Sequence, residues 1–371
     1  MSPKTILILG GYGGTGLPIA RLLLQETEVR LILAGRHTER ADTAAAQLNS
    51  LFPGLRVLGC YADATAPNGL RAAFRDADMV LVCSSTADYV REVAQAALAA
   101  GIDYLDIHYA QKKVPVLQSL APAIREAGRC FITEAGFHPG LPSALVRHAA
   151  SHFTHLRQAD VDMVMSGRLQ MTDSVQELIK DLGSSESRLF TEGRWRKATY
   201  QDTRKIDFGP NFGTRLCYPI QLEEMRALPE QYALERTGIY VAGFNWFVDY
   251  LVFPLAIVLA KIREGFAAGP LARLMVWGIN TFSRPPFGVV VTLAASGEKD
   301  DQPHSLRMAI QHSDAYEFTA VCAVACVLQY LDGTLAKPGL WMMGHVVDPG
   351  RLIEDLARMG ARIETRTVDC A

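Results

Sequence analysis

The sequence lacks an excess of either charge: 37 basic residues stand against 39 acidic ones, a formal −2 at neutral pH. No electrostatic footprint for nucleic acid follows from that balance. Cysteine is scarce, with seven in 371 residues. Cys60, Cys83, Cys130, Cys217, Cys322, Cys326 and Cys370 are scattered and mostly set in apolar runs. Their odd number and spacing exclude a disulfide framework and predict reduced thiols in a cytoplasmic protein. Cys322 and Cys326 share a helix face, but two thiols without further ligands read as core packing. Repeats, low-complexity tracts, a Ser-His-Asp arrangement, paired glycosidase carboxylates and a P-loop are all missing, which excludes the chemistries they carry. His148, His152 and His155 fall at metal-like spacing without a carboxylate in the pattern. They are read as one solvated helix face, and no metal is expected. The opening MSPKTILILGG is too short before its glycines for a signal peptide and reads as a first strand.

What is present is an ordinary globular composition, 49% hydrophobic and 20% charged, on a chain long enough for two domains. From Thr5 to Thr133, short apolar β-rich runs alternate with helical periodicity. Strands are expected at Thr5–Leu9, Val29–Ala34, Arg56–Cys60, Met79–Cys83, Tyr104–Ile107 and Cys130–Thr133. Such alternation predicts an α/β Rossmann domain with a parallel sheet over residues 1–140, with ligands at the carboxyl ends of its strands. After Glu134 the texture changes. Residues 141–313 read as an α+β domain for substrate or dimerisation, its sheet largely antiparallel, with strands at Ala159–Met165, Gly288–Ala295 and Ser305–Gln311. The hairpin of that domain turns at Glu192-Gly193, and EKDDQP reads as a linker. Residues 314–371 read as a helix from Tyr316 to Leu331 and a tail packing back on the first domain.

Directly after the first strand, Gly11, Gly13 and Gly16 form G-x-G-x-x-G, with Tyr12, Gly14 and Thr15 between them. Glycine there permits the tight turn, lets the backbone approach a pyrophosphate and lets helix and strand pack closely. The following helix offers its free N–H groups to the phosphates. Where an acid would grip the ribose 2′-hydroxyl, this chain has Arg36, and a guanidinium pairs with a 2′-phosphate that a carboxylate would repel. NADP(H) is therefore the expected cofactor. Topology places Asp63 beside the adenine, and Ser84, Ser85 and Thr86 toward the nicotinamide.

With GGYGGTG, Ala34-Gly35-Arg36 and Thr133-Glu-Ala-Gly-Phe-His-Pro-Gly-Leu-Pro142 in view, the sequence resembles the saccharopine dehydrogenase-like family. That family includes saccharopine reductases, carboxynorspermidine dehydrogenases and trans-acting enoyl reductases. The resemblance covers about residues 5 to 145 and continues faintly to the end. It implies a Rossmann domain joined to an α/β domain with a largely antiparallel sheet. An aspartate usually precedes the Pro-Gly in saccharopine reductases; His138 stands there here. The implied activity is NADPH-dependent reduction of a C=N or C=C bond in a small or lipid-like metabolite. Two other readings stay open: a non-catalytic NADP(H)-sensing protein, and a membrane-associated lipid enoyl reductase.

Hydride transfer needs a proton donor near the acceptor. The strand ends supply Asp106, His108 and Tyr109 after the fifth strand, and Glu134 and His138 after the sixth. His138, because histidine titrates near neutrality, is the first candidate acid, with Tyr109, Glu134 and Asp106 beside it. His138 capping its own Pro-Gly turn is the competing reading. Asp106 and His108, two apart on one strand face, are candidates for an orienting pair.

The most apolar stretch runs from Phe244 to Phe282. Its beginning, FNWFVDYLVFPLAIVLAKI, nears the length of a membrane span, but Asp249 and Pro254 speak for two shorter helices and peripheral membrane contact at most. A homodimer interface and an apolar lid formed by Trp246, Phe247, Tyr250, Phe253 and Trp277 are both compatible with it. The chain is expected to act on a small-molecule or apolar substrate as a homodimer, without nucleic acid.

Overall fold

The computed structural model describes residues 3–171, 173–181, 187–263 and 265–369. In chain order its strands begin with β1 (Thr5–Leu9), β2 (Arg30–Gly35), β3 (Val57–Tyr61), β4 (Met79–Val82), β5 (Asp103–Asp106), β6 (Cys130–Thr133), β7 (His155–Ser166) and β8 (Arg188–Thr191). They continue with β9 (Arg194–Lys197), β10 (Arg204–Asp207), β11 (Thr214–Ile220), β12 (Arg236–Ala242), β13 (Gly288–Lys299), β14 (Gln302–His312), β15 (Gly339–Met342) and β16 (Arg362–Asp369). Residues 1–141 and 316–356 form one compact unit, and 142–315 and 357–371 the other.

The first unit holds a seven-stranded sheet in the order β15-β6-β5-β4-β1-β2-β3. All of its pairings are parallel. Ile6, Leu7 and Ile8 of β1 are all 0% exposed, so both faces of the central strand are covered. A parallel strand buried on two sides must be apolar at every position, which is why β1 reads as a continuous run instead of an alternation. The chain leaves β1 toward β2 on one side and later reaches β4 on the other. This reversal opens a crevice at the carboxyl ends of β1 and β4, where doubly wound sheets take their ligands.

The helix Ala315–Leu331 belongs to the same unit and is buried on all sides, Cys322 and Cys326 included. Its one buried amide is satisfied locally: Gln329 donates to the Asp348 carbonyl at 3.1 Å and accepts from the Asp348 N–H at 2.8 Å. Tyr330 donates to Asp103 on β5 at 2.6 Å and accepts from Lys4 at 2.9 Å. The C-terminal residues divide between the units, for β15 continues the first sheet beyond β6 while β16 pairs antiparallel with β14 in the second. Its polar alternation, RIETRTVD, is that of an edge strand, which keeps one side in solvent. Six cysteines are free thiols, and Cys370 lies outside the described residues.

The second unit carries a nine-stranded, mostly antiparallel sheet, with β7 at its centre between β12 and β13. The pairing of β12 with β7 is parallel. Residues 300–301 are a two-residue hairpin turn, not part of a linker: Asp300 and Asp301 have φ of 51° and 61°, and the ladder of β13 and β14 runs up to Lys299 and Gln302. Two successive left-handed residues match the twist of the flanking strands, and aspartate tolerates that conformation. The apolar stretch follows β12 and forms two helical pieces, a π-helical turn Val248–Val252 leading into Phe253–Ile262, then Ala268–Phe282. Pro254 sits in the first turn of its helix, where its missing N–H costs nothing, and the break falls later, around Gly265 at φ 70°. Val248, Val252 and Ala256 pack on Leu271, Ala272, Met275 and Ile279. Gly278 admits the Phe247 ring, since a Cβ there would lie 2.3 Å from it. No described helix is long and apolar enough to cross a membrane.

The helix that carries His148 is Leu141–Ala150, so His152 lies beyond its end and His155 opens β7. His148 and His152 still meet, Nε2 to Nε2, at 3.3 Å. Among the described residues no group of three or more metal-ligating side chains assembles.

Candidate active site

Gly10 leaves β1 with φ 88° and donates its N–H to the Ala34 carbonyl at 2.7 Å. A Cβ at Gly10 would stand 2.7 Å from the Ser84 nitrogen, and one at Gly16 2.2 Å from the Gly10 carbonyl oxygen. Glycine at those two points is thus what brings loop, helix and β4 together. A Cβ at Gly14 would meet nothing closer than Tyr316 at 3.7 Å. The helix Gly16–Glu26 starts after Thr15 with no side-chain cap and no acid in its first turn. Leu17 and Ile19 give their N–H groups to the Gly13 and Thr15 carbonyls, both at 3.1 Å, and Pro18 has none, so what this end offers an anion is chiefly the partial positive charge of the helix start. Tyr12 closes the loop over the end of β2: its hydroxyl accepts the His37 N–H at 3.0 Å, and the Arg40 guanidinium lies 4.9 Å over its ring. Gly35 is required beside it, because a Cβ there would come within 2.4 Å of the Tyr12 oxygen. Arg36 and Arg40 are exposed at this corner. Those features fit a dinucleotide with a phosphorylated ribose.

Other loop-end residues are engaged by their own turns. Asp63 accepts from the Thr65 N–H and hydroxyl, both at 2.9 Å, which closes an Asx-type turn after β3. The Ser84 and Thr86 hydroxyls meet at 3.0 Å after β4, with half-buried Ser85 between them. The Ser84 carbonyl also takes Nε2 of His108 at 2.7 Å, linking the ends of β4 and β5.

Beyond β5 and β6 the structure brings Asp106, His108, Tyr109, Glu134 and His138 together in one unit, around two residues the sequence pattern left aside, Gln111 and Lys113. Asp106 is fully buried. Its carboxylate accepts from the Tyr104 hydroxyl at 2.9 Å, the Thr133 hydroxyl at 2.7 Å and the His108 backbone N–H at 3.0 Å. Lys113 approaches the same carboxylate at 3.1 Å and donates to the His108 carbonyl, both side chains of the ion pair being 0% exposed. Burial by itself would raise the Asp106 carboxyl, but Lys113, His108 and the donated hydrogen bonds outweigh it and hold the group below the usual carboxylate range. The partnership expected between Asp106 and the His108 ring is thus made with the His108 backbone, while the ring points at Ser84. With every oxygen of Asp106 engaged, the residue braces the ends of β5 and β6. The Ala135 N–H completes the brace by donating to the Asp106 carbonyl at 2.9 Å.

Glu134 is buried with φ 64°, a left-handed conformation uncommon for a side chain with a Cβ. Gln111 holds its carboxylate at 2.8 Å and bonds the Tyr109 carbonyl at 3.1 Å. The turn after it is tied by Gly136, whose N–H reaches the Glu134 and Pro139 carbonyls at 3.0 and 3.1 Å. Gly140, at φ 119°, leaves no room for a side chain, since a Cβ would lie 2.1 Å from the Glu134 carbonyl oxygen. This is the physical content of the Gly-Phe-His-Pro-Gly element. The His138 ring stacks on Tyr109, centroids 5.2 Å apart at 26°. Its Nδ1 is buried without a hydrogen-bond partner, and burial pushes the ring down to about 4. At neutral pH His138 is therefore an uncharged imidazole, not the near-neutral titrating acid that the residue type suggests. Such a ring hydrogen-bonds and orients.

Comparison with known proteins follows the same lines. Residues 6–132 match the family described as "Saccharopine dehydrogenase NADP binding domain". A carboxynorspermidine synthase of Vibrio alginolyticus is 23% identical over 393 aligned positions, covering 94% of each chain. That of Vibrio cholerae is 23% identical over 304 positions, covering 72% of each. Among solved structures, apo saccharopine dehydrogenase (L-Glu forming) from Saccharomyces cerevisiae superposes with a TM-score of 0.74 over 98% of this chain and 100% of its own. At 13% identity that likeness speaks for the fold. With the glycine loop at its head, the segment from β1 to β6 is similar to the NADP-binding domain of saccharopine dehydrogenases, and the protein is an NADP-dependent oxidoreductase.

Proposed function

We propose that this protein transfers hydride between NADP(H) and the carbon of a C=N bond in a small, amino-acid-derived substrate. The observation that carries the reading is the Tyr109–His138 stack beside Glu134 and Gln111, on the same strand edge as the glycine loop. Likeness to the carboxynorspermidine synthase of Vibrio alginolyticus over 94% of each chain supports the C=N choice over C=C. Gly11 to Gly16 would hold the pyrophosphate and Arg36 the 2′-phosphate, with Ser84, Ser85 and Thr86 along the path to the nicotinamide. NADP(H), when bound, supplies or takes the hydride. In this scheme neutral His138 hydrogen-bonds the substrate nitrogen through a ring N–H, Tyr109 fixes the plane of that ring, and Glu134 orients the substrate amine. Asp106 and Lys113 do not meet substrate; they position the backbone that carries Tyr109 and His138.

The test is NADPH consumption, followed by absorbance, against oxo acids paired with amines, preformed cyclic imines and enoyl compounds. Turnover with an oxo acid plus amine is expected. Turnover with enoyl compounds alone would move the assignment to C=C, and tight NADPH binding without turnover of any would favour a sensor.

Cofactor choice gives a separate expected result. NADPH binds more tightly than NADH, and Arg36→Ala narrows the preference by about tenfold or more, since a charge-assisted contact contributes about 1.5–3 kcal/mol. Equal dissociation constants for the two cofactors in the unsubstituted protein, measured by calorimetry, would refute this.

A further inference from the structure

We propose that the outer face of the helical pair between residues 248 and 282 docks on an anionic lipid bilayer surface. The helix leading to Ile262 is apolar on both sides. Its inner residues Val248, Val252 and Ala256 are buried against the second helix. Its outer stripe, Leu251, Leu255, Val258 and Ile262, is 52%, 45%, 57% and 72% exposed. A solvent-facing helix normally alternates such positions with charges; here the only charged residue in the helix Phe253–Ile262 is Lys261. From Leu251 to Ile262 the stripe takes eleven steps along the helix and extends about 16 Å at ~1.5 Å per residue. That suits a helix lying in the plane of a membrane, and no described helix is long and apolar enough to cross one.

Two further observations select the occupant. Trp246, Tyr250 and Trp277 are exposed at the same helical pair, and the two indoles are held by ring contacts to Phe282 at 5.0 and 5.6 Å. Indole and phenol rings with one apolar and one polar end settle at the headgroup level of a bilayer. The charges beside the stripe are basic: Lys261, Arg263, Arg273 and Arg284 are all exposed. Asp249 is half-buried with its carboxylate taken by the Phe244 N–H at 2.9 Å. Counting Glu264, which lies outside the described residues, the stretch 244–284 has four basic and two acidic residues. A second copy of the chain on a two-fold axis would set these cations against each other. Anionic headgroups turn the same cations into attractive contacts, each strengthening binding about fivefold near the surface.

The experiment is co-sedimentation of the full chain with vesicles of phosphatidylcholine alone or with phosphatidylserine added, NADPH binding being measured in parallel as the check that each variant is folded. Binding at least tenfold tighter to the anionic vesicles is expected, weakening as salt is raised, with a blue shift of tryptophan emission. Leu255→Glu should weaken it by more than tenfold. Lys261→Gln combined with Arg273→Gln, two exposed changes that leave the apolar face intact, should weaken anionic binding by about tenfold or more. Equal binding to both vesicles, or none to either, overturns the proposal. So does a dimer in light scattering that Leu255→Glu dissociates without any vesicle binding, which would make this face a contact between two copies.

Discussion

Replacing Lys113 with methionine is expected to cost about 3–5 kcal/mol of stability, the range for removing one partner of a buried ion pair. Lys113 and Asp106 are both 0% exposed and 3.1 Å apart, so the variant leaves a carboxylate sealed from water with only neutral donors around it. Methionine keeps most of the side-chain length, which confines the effect to charge and hydrogen bonding. The pH dependence has a definite sign. In the unsubstituted protein the Asp106 carboxyl is held below its ordinary value, so its contribution is present above the unfolded carboxylate range and lost as pH falls through the folded value. In Lys113→Met that carboxyl loses its main source of lowering and takes up a proton more readily, so the deficit is largest near neutrality and shrinks with acidification. Adding Asp106→Asn to Lys113→Met should recover part of the loss, because the uncompensated charge is gone. Urea unfolding of the unsubstituted protein, Lys113→Met, Asp106→Asn and the double variant gives the cycle directly. A single-variant loss under about 1 kcal/mol would show that the pair does not brace this strand edge.

His138→Ala is expected to lower turnover about a hundredfold while leaving NADPH affinity within about twofold, since misplacing the acceptor from its reactive geometry costs on that scale. The residue follows β6, away from the glycine loop after β1, so cofactor contacts should persist. Burial holds the ring down to about 4, so the neutral form predominates above that pH. Activity carried by neutral His138 therefore falls only as pH drops through about 4, and no break near the ordinary histidine value of about 6.5 is expected from it. The same displacement destabilises the fold between pH 6.5 and about 4, where the unfolded chain binds the proton more readily, and His138→Ala removes that component. A break near 6.5 in kcat/KM that disappears in the variant would contradict a neutral ring with its Nδ1 sealed from water. Unchanged turnover in His138→Ala would make His138 a turn residue, with Tyr109 and Glu134 left as the groups to test by Tyr109→Phe and Glu134→Gln.

The alternation of the first 133 residues made the parallel sheet legible, because central strands covered on both faces, such as β1 and β4, read as continuous apolar runs. The glycine loop was equally plain, since Gly10 and Gly16 stand where any Cβ would collide with backbone. The second unit was harder. β12 pairs with β7, whose sequence number is about 80 lower, and β16 with β14, some 60 lower; neither partnership leaves a mark on the strands themselves. EKDDQP looked like a linker because polar residues alone do not distinguish a loose connection from a two-residue turn, which depends on φ at Asp300 and Asp301.

By itself, then, the sequence determined what repeats locally or forbids a side chain: the βαβ order, the loop glycines, the base at Arg36 in place of an acid, and a cysteine spacing that makes no disulfide framework. Only the tertiary structure decided the charge states and partnerships at the strand ends. Lys113, which no sequence pattern singles out, gains its role only when the fold buries it 3.1 Å from Asp106. His138 reads as a near-neutral acid until burial makes its charged form costly. Desolvation and pairing are properties of an environment assembled from distant segments, so no local pattern of residues can state them.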